Sequence, residues 1–171
     1  MKEYLKSFGI LTEGEIDSFE QLLVTKKIKK GEFFIQEGKI SQEVAFIASG
    51  FFRSYYYNSN EEEVTYCFTF SNSFITAYSS FLSQTATSEN IQALTDVELY
   101  SISRDKILQL EQSSTNWLKF FKLIAEQEYI NLEKRIFMLQ TESAEKRYED
   151  LLTNHPQLLQ LIPLHYLSSY L

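Results

Sequence analysis

Between Lys27 and Ser103 the chain is a series of short runs rich in β-branched and aromatic residues, cut by turn residues. The runs recur at intervals of about ten residues. EFFIQEG ends at Gly38 and EVAFIASG at Gly50. FFRSYYYNSNEEEVTYCFTF reads as a hairpin around Asn58-Ser59-Asn60-Glu61, with asparagine suited to a positive φ. ENIQAL and VELYSIS supply two further strands. About eight short strands predict an all-β sandwich or barrel of jelly-roll type. Ahead of them, Ile16, Phe19, Leu22 and Leu23 predict an amphipathic helix with Glu15, Asp17 and Glu20 outward.

After Ser103 the period changes from two to 3.6. Ser103 can cap a short helix, RDKILQLEQ, and Ser113 or Ser114 a long one. Trp117 to Gln140 holds no Gly or Pro. Leu118, Phe121, Ala125, Tyr129, Leu132, Ile136 and Leu139 form one stripe along it. At 1.5 Å per residue the helix is about 36 Å long. Trp117, Phe120, Ile124 and Phe137 lie off the stripe. A helix apolar on two sides needs two neighbours. The reading is one side on its own β-domain and the stripe on a second copy, a two-fold homodimer seam. Ser143 can cap AEKRYEDLLTN, which halts before His155-Pro156. Pro163 can open a last helix whose apolar face is Leu164, Leu167, Tyr170 and Leu171. That helix stops at Leu171 with no capping signal, so the expectation is a small C-terminal domain that continues past it.

Charge and composition restrict the function. The net charge is −7, and no Lys or Arg follows Arg147. The chain as written is therefore no generic phosphate binder. A lone cysteine, Cys67, excludes an internal disulfide or a multi-thiolate metal site and reads as a buried small residue. No apolar run reaches membrane-spanning length and MKEYLKSFGI lacks a signal peptide's apolar segment, so the expectation is a cytoplasmic protein with no membrane partner. The two histidines, His155 and His165, read as a helix-end and a solvent-facing residue. No strand carries the histidines of a cupin metal site, no glycine follows Gly50 to build a P-loop, and Glu61-Glu62-Glu63 reads as a solvated turn. Neither catalysis nor a cofactor is expected.

The order of elements resembles the Crp–Fnr family of bacterial transcription regulators. The residues that carry the resemblance are VTKKIKKGEFFIQEGKISQEVAFIASGFFRSYY, with Gly31, Gly38 and Gly50 at the family's turn positions. IPLHYLSSYL resembles the first helix of the family's helix-turn-helix. The resemblance implies an α+β chain in three parts: residues 1–112, a cyclic-nucleotide-binding-like double-stranded β-helix (jelly roll) with flanking helices; residues 113–141, a dimerisation helix; and residues 142–171, the start of a winged helix-turn-helix. It also implies DNA as a partner, mostly through a domain beyond residue 171, and a small-molecule effector of unknown identity. The alternative is a stand-alone dimeric sensing or interaction module, which the acidic balance favours.

In the family's cyclic-nucleotide binders a cassette resembling Phe-Gly-Glu, then about ten residues, then Arg-Ser holds the ligand. Backbone N–H groups and the Arg hold the cyclic phosphate, and the Glu holds the ribose hydroxyl. Aligned without gaps, this chain has Thr76 for the Gly, Ala77 for the Glu, Thr87 for the Arg and Ser88 for the Ser. No arginine lies between Arg53 and Arg104. Losing the Arg alone removes a charge-assisted contact of about 1.5–3 kcal/mol. The expectation is no tight binding of cyclic AMP or cyclic GMP. Two readings remain for FITAYSSFLSQTATSEN. In one it merely packs, with Phe74, Tyr78 and Phe81 as core. In the other a neutral effector is held by Thr76, Ala77, Tyr78, Ser79, Ser80, Thr87, Ser88 and, from the long helix, Asn131.

Overall fold

The computed structural model describes residues 1–154 and 160–171. Two N-terminal helices, α1 (Lys2–Ser7) and α2 (Glu13–Leu22), precede the strands β1 (Val24–Ile28), β2 (Phe33–Ile35), β3 (Glu43–Ser49), β4 (Phe51–Tyr57), β5 (Glu63–Phe70) and β6 (Phe74–Ile75). A short helix α3 (Tyr78–Ser83) leads to β7 (Asn90–Ala93) and β8 (Val97–Ser103). Then come α4 (Arg104–Ser113), α5 (Thr115–Thr141), α6 (Ala144–Asn154) and α7 (Leu164–Tyr170). His155 lies outside the described residues.

The strands form two four-stranded antiparallel sheets, β1-β8-β3-β6 and β2-β7-β4-β5. Alternation along each strand feeds three cores. Ala45, Ile47, Phe52, Ile91 and Leu99 meet between the sheets. The next residues along β3 and β8 point out: Val44 and Ile102 pack with Leu5, Ile16, Phe19, Ile107, Trp117 and Phe120 from α1, α2, α4 and α5. On the second sheet, Phe51, Phe68 and Phe70 face outward and meet Leu151, Ile162, Leu167 and Tyr170. Burying such side chains on both faces of each sheet is what holds a roll of strands this short.

Local chemistry sets the element ends. Thr12 and Glu15 form a reciprocal capping box on α2. Glu15 also accepts from Ser114 Oγ (2.5 Å) and Asn116 Nδ2 (3.1 Å) at the start of α5. These donors hold its carboxyl near 2, against the opposing push of its partial burial. Ser114 caps α5 through the N–H of Asn116, and Ser143 accepts from the N–H of Lys146 in α6. Ser103 sits at the N-cap of α4 but makes no side-chain cap bond. In the β4–β5 turn the positive φ falls on Glu61, not on an asparagine. Asn58 acts otherwise: its side-chain oxygen accepts from the N–H groups of Asn60 (2.9 Å) and Glu62 (3.0 Å). Gly50, at φ +83°, brings β3 and β4 against Asp96, whose carbonyl lies 2.5 Å from where a Cβ would stand.

Candidate ligand site and helix face

The segment from β6 to β7 occupies the cassette's place and is tied into the roll. Thr76 Oγ1 donates to the carbonyl of Glu43 (2.9 Å) and pairs with Ser41 Oγ (3.0 Å). Ser80 Oγ accepts from the N–H of Ser41 (3.0 Å) and donates to the carbonyl of Thr85 (2.5 Å). Gln84, left-handed at φ 56°, ends α3, and its Nε2 donates to Phe81 O (2.8 Å) and Ser41 O (3.2 Å). Thr87 is buried and trades backbone bonds with the β2–β3 turn: Gly38 N–H to Thr87 O and Thr87 N–H to Lys39 O, each 2.8 Å.

Two of the four cassette positions therefore carry neither a carboxylate nor a cation. Ala77 is 0% exposed and belongs to the core between the sheets. The buried Thr87 carries no charge. The sequence positions divide into two groups. Thr76, Ser80 and Thr87 are drawn together against residues 38–43, whereas Tyr78, Ser79 and Ser88 are exposed. Asn131 is exposed on α5 and accepts from Gln127 (3.2 Å). Tyr78, expected in the core, is 45% exposed; Phe81 is buried and Phe74 half-buried, as expected. Beside this segment, a cleft of about 290 Å³ runs along β2 and the loop from Lys39 to Gln42.

Other groups near the cassette were not legible as site residues. β5 carries an extra residue opposite the Ser54–Tyr55 step of β4. Beyond that bulge, Tyr66 donates its hydroxyl to Glu89 Oε2. Burial raises the Glu89 carboxyl, and the Tyr66 bond opposes the rise. Burial and the facing carboxylate likewise push the Tyr66 hydroxyl up. Cys67 pairs in register with Ser54, which pairs with Ile91 of the inner core, so its thiol points inward; burial raises it too. Glu89 is tied to Thr87 through its backbone, its N–H donating to Thr87 Oγ1 (3.1 Å), while its carboxyl turns to Tyr66 on β5. Among the described residues no group of three or more His, Cys, Asp or Glu could hold a metal ion.

The α5 stripe is largely bare. Leu118, Tyr129, Leu132, Ile136 and Leu139 are 49%, 66%, 55%, 52% and 45% exposed. Phe121 and Ala125 are half-buried, Phe121 stacking on Trp117 at 5.6 Å. Trp117, Phe120 and Ile124 pack on the roll side, but Phe137, expected there too, is 56% exposed. An open groove of about 480 Å³ runs past Ala125 and Tyr129. No described helix is long and apolar enough to cross a membrane.

In α7 the apolar face is shifted from the expected one. Leu164 is 74% exposed, and Tyr166 with Leu167, Tyr170 and Leu171 makes the contact. Pro163 precedes the helix as its N-cap rather than opening it. His165 is exposed, as expected.

Residues 25–114 match the family model of the cyclic nucleotide-binding domain. No curated protein matches the chain. Among solved structures, FixK2 from Bradyrhizobium japonicum is similar with a TM-score of 0.74 at 14% identity, over 87% of this chain and 77% of that one. A transcriptional regulator of the Crp/Fnr family from Eubacterium rectale gives 0.74 at 16%, over 92% and 74%. The Catabolite Activator Protein of Thermus thermophilus gives 0.65 at 18%, over 76% of this chain and 61% of its own. The chain thus spans less than two thirds of that last protein, and identities this low establish a shared fold. The family match covers more than half of the chain, which therefore belongs to the cyclic nucleotide-binding domain family.

Proposed function

We propose that this protein is the sensing and dimerising part of a bacterial transcription regulator of Crp–Fnr type that does not use cyclic AMP or cyclic GMP. In this reading residues 1–112 are the sensor, 113–141 the dimer helix and 142–171 the start of a DNA-reading domain. The observation that carries the cyclic-nucleotide statement is the cassette: Ala77 is sealed in the core, and residues 74–94 contain no Lys or Arg, a buried Thr87 standing where the Arg would be. A neutral effector suits such a site better than an anion. Thr76, Ser80 and Thr87 would be its inner contacts, and Tyr78, Ser79, Ser88 and Asn131 its outer ones. Two copies would meet through Leu118, Phe121, Ala125, Tyr129, Leu132, Ile136 and Leu139, in the cytoplasm.

Effector binding can change DNA affinity only if the two arrangements of the long helices differ in affinity for it. Calorimetry with cyclic AMP and cyclic GMP tests the sensor: no heat up to millimolar nucleotide is expected, and micromolar binding refutes the cassette argument. Selection from randomised duplexes by the protein expressed from its own gene tests the regulator. Enrichment of a palindrome with half-sites about one helical turn apart is expected. The net charge of −7 and the absence of Lys or Arg after Arg147 favour a second reading, a dimeric sensing module that does not touch DNA. Failure to enrich any sequence would leave that one.

A further inference from the structure

Arg53 stands on the outward face of β4 and is 1% exposed. Its guanidinium lies between two rings, Tyr55 of its own strand at 3.9 Å and Tyr166 of α7 at 3.5 Å. Glu63 (2.7 Å) and Gln92 (3.2 Å) both accept from the same nitrogen, Nη2. Nε and Nη1 are buried and have no partner among the described residues. The seven-residue α7 thus closes over a cation that keeps only part of its hydrogen bonding.

Opposed terms meet here. Unmet donors on a buried charge favour opening, because water would satisfy them. The Tyr166 stack and the burial of Leu167 favour closure. The polar contacts around the helix are few and specific. Ser169 Oγ donates to Thr65 Oγ1 (2.8 Å), Arg147 Nε donates to the carbonyl of Leu171 (2.5 Å), and Arg135 reaches that of Tyr170. A helix of seven residues has little stability of its own and depends on this docking.

We infer that α7 is a reversible latch on the roll. It docks over Arg53, and it detaches as a unit while the two sheets stay folded. The latch rests on the regulator reading only for its consequence, namely that the segment held shut would be the first helix of a DNA-reading domain. Its test uses neither DNA nor effector, so the two readings fail independently.

Hydrogen exchange on the whole chain decides it. The amides of α7 are expected to be protected, yet to exchange at least 100-fold faster than those of β4 and β5, through an opening smaller than global unfolding. Tyr166→Leu keeps apolar bulk and removes the ring from Arg53. It should speed α7 exchange tenfold or more and leave β4 and β5 unchanged. If α7 and the two strands exchange in a single event in the unaltered protein, α7 is an integral layer of the core and the latch is wrong. Exchange of α7 at the rate of a free peptide would overturn it equally, since the helix would then not dock.

Discussion

Neutralising Glu15 is expected to loosen the root of the long helix, and to do so only where the carboxylate is charged. The side chain receives two bonds from Thr12, at 2.8 Å from N–H and 2.9 Å from Oγ1, and others from Ser114 and Asn116. It thereby joins the first turn of α2 to the first turn of α5, two places where unpaired N–H groups favour a negative charge. Its carboxyl falls from an ordinary value of 4.5 to about 2, the donors overcoming the desolvation that opposes them. A fall of that size corresponds to about 3 kcal/mol of differential stability. The group stays partly open to water, which screens it, so roughly 1–2 kcal/mol is the working figure.

The sign follows from the direction of the shift. A carboxyl depressed on folding stabilises the fold fully above its unfolded pKa, and the contribution fades as pH falls from about 4.5 toward 2. Glu15→Gln should therefore lower the melting temperature at pH 7 by about 2–8 °C for a chain of this size. Near pH 3 the gap between variant and parent should shrink to less than half. Glu13→Gln is the control. Glu13 lies in the same first turn, but its side chain is exposed and, among the described residues, bonds to Lys6 alone. Melting curves by circular dichroism at several pH values give the answer. A Glu15→Gln deficit that stays constant down to pH 3 would mean that shape, not charge, holds the junction, and would refute the argument.

Three other changes have expected outcomes. Gly50→Ala forces a Cβ to within 2.5 Å of the Asp96 carbonyl at φ +83°, and denaturant titration should show a loss of about 2–4 kcal/mol. Leu132→Glu places a charge in the bare α5 stripe, and sedimentation should show a monomer with unchanged circular dichroism; a persistent dimer would put the seam elsewhere. Cys67, raised by burial, should react with a thiol reagent at pH 7 at least tenfold more slowly than a free cysteine, and at the ordinary rate once unfolded.

The roll could be read from the sequence because its signals are local. Turn residues and period-two runs mark β3, β4, β5, β7 and β8 whatever they pair with. A gap-free helical period marks α5 equally well. Strand order across the two sheets is not local, and α1 is too short to show a period. Side-chain direction along β5 could not be carried through either. The extra residue at the Ser54–Tyr55 step shifts the alternation, so Tyr66 reaches Glu89 on no pattern the sequence displays. Helical spacing alone could not tell that Phe137 has no neighbour on the roll, because a period reports a face and not what covers it. At the cassette, absent chemistry was plain: a missing Arg and a missing Glu are visible residue by residue. The burial of Ala77 and the web around Ser41 and Gln84 arise from the loops that close on them.

Arg53 is the sharpest instance of what pattern cannot disclose. FFRSYYY alone does not say which way its side chain turns. The register does. Phe52 and Ser54 pair with Ala93 and Ile91 on the inner face, and this leaves Arg53 opposite Phe68 and Gln92 on the outer one. That face would be open to solvent in an isolated roll, and there an arginine costs nothing. The chain returns about a hundred residues later and lays Tyr166 over it, completing a cover that Tyr55, Glu63 and Gln92 begin. The burial is therefore shared between the sheet and α7. β4 belongs at once to the inner core, through Phe52, and to the outer contact, through Phe51 and Arg53. A displacement of this one strand would be felt on both sides of the sheet, since close-packed layers pass on a shift rather than absorb it.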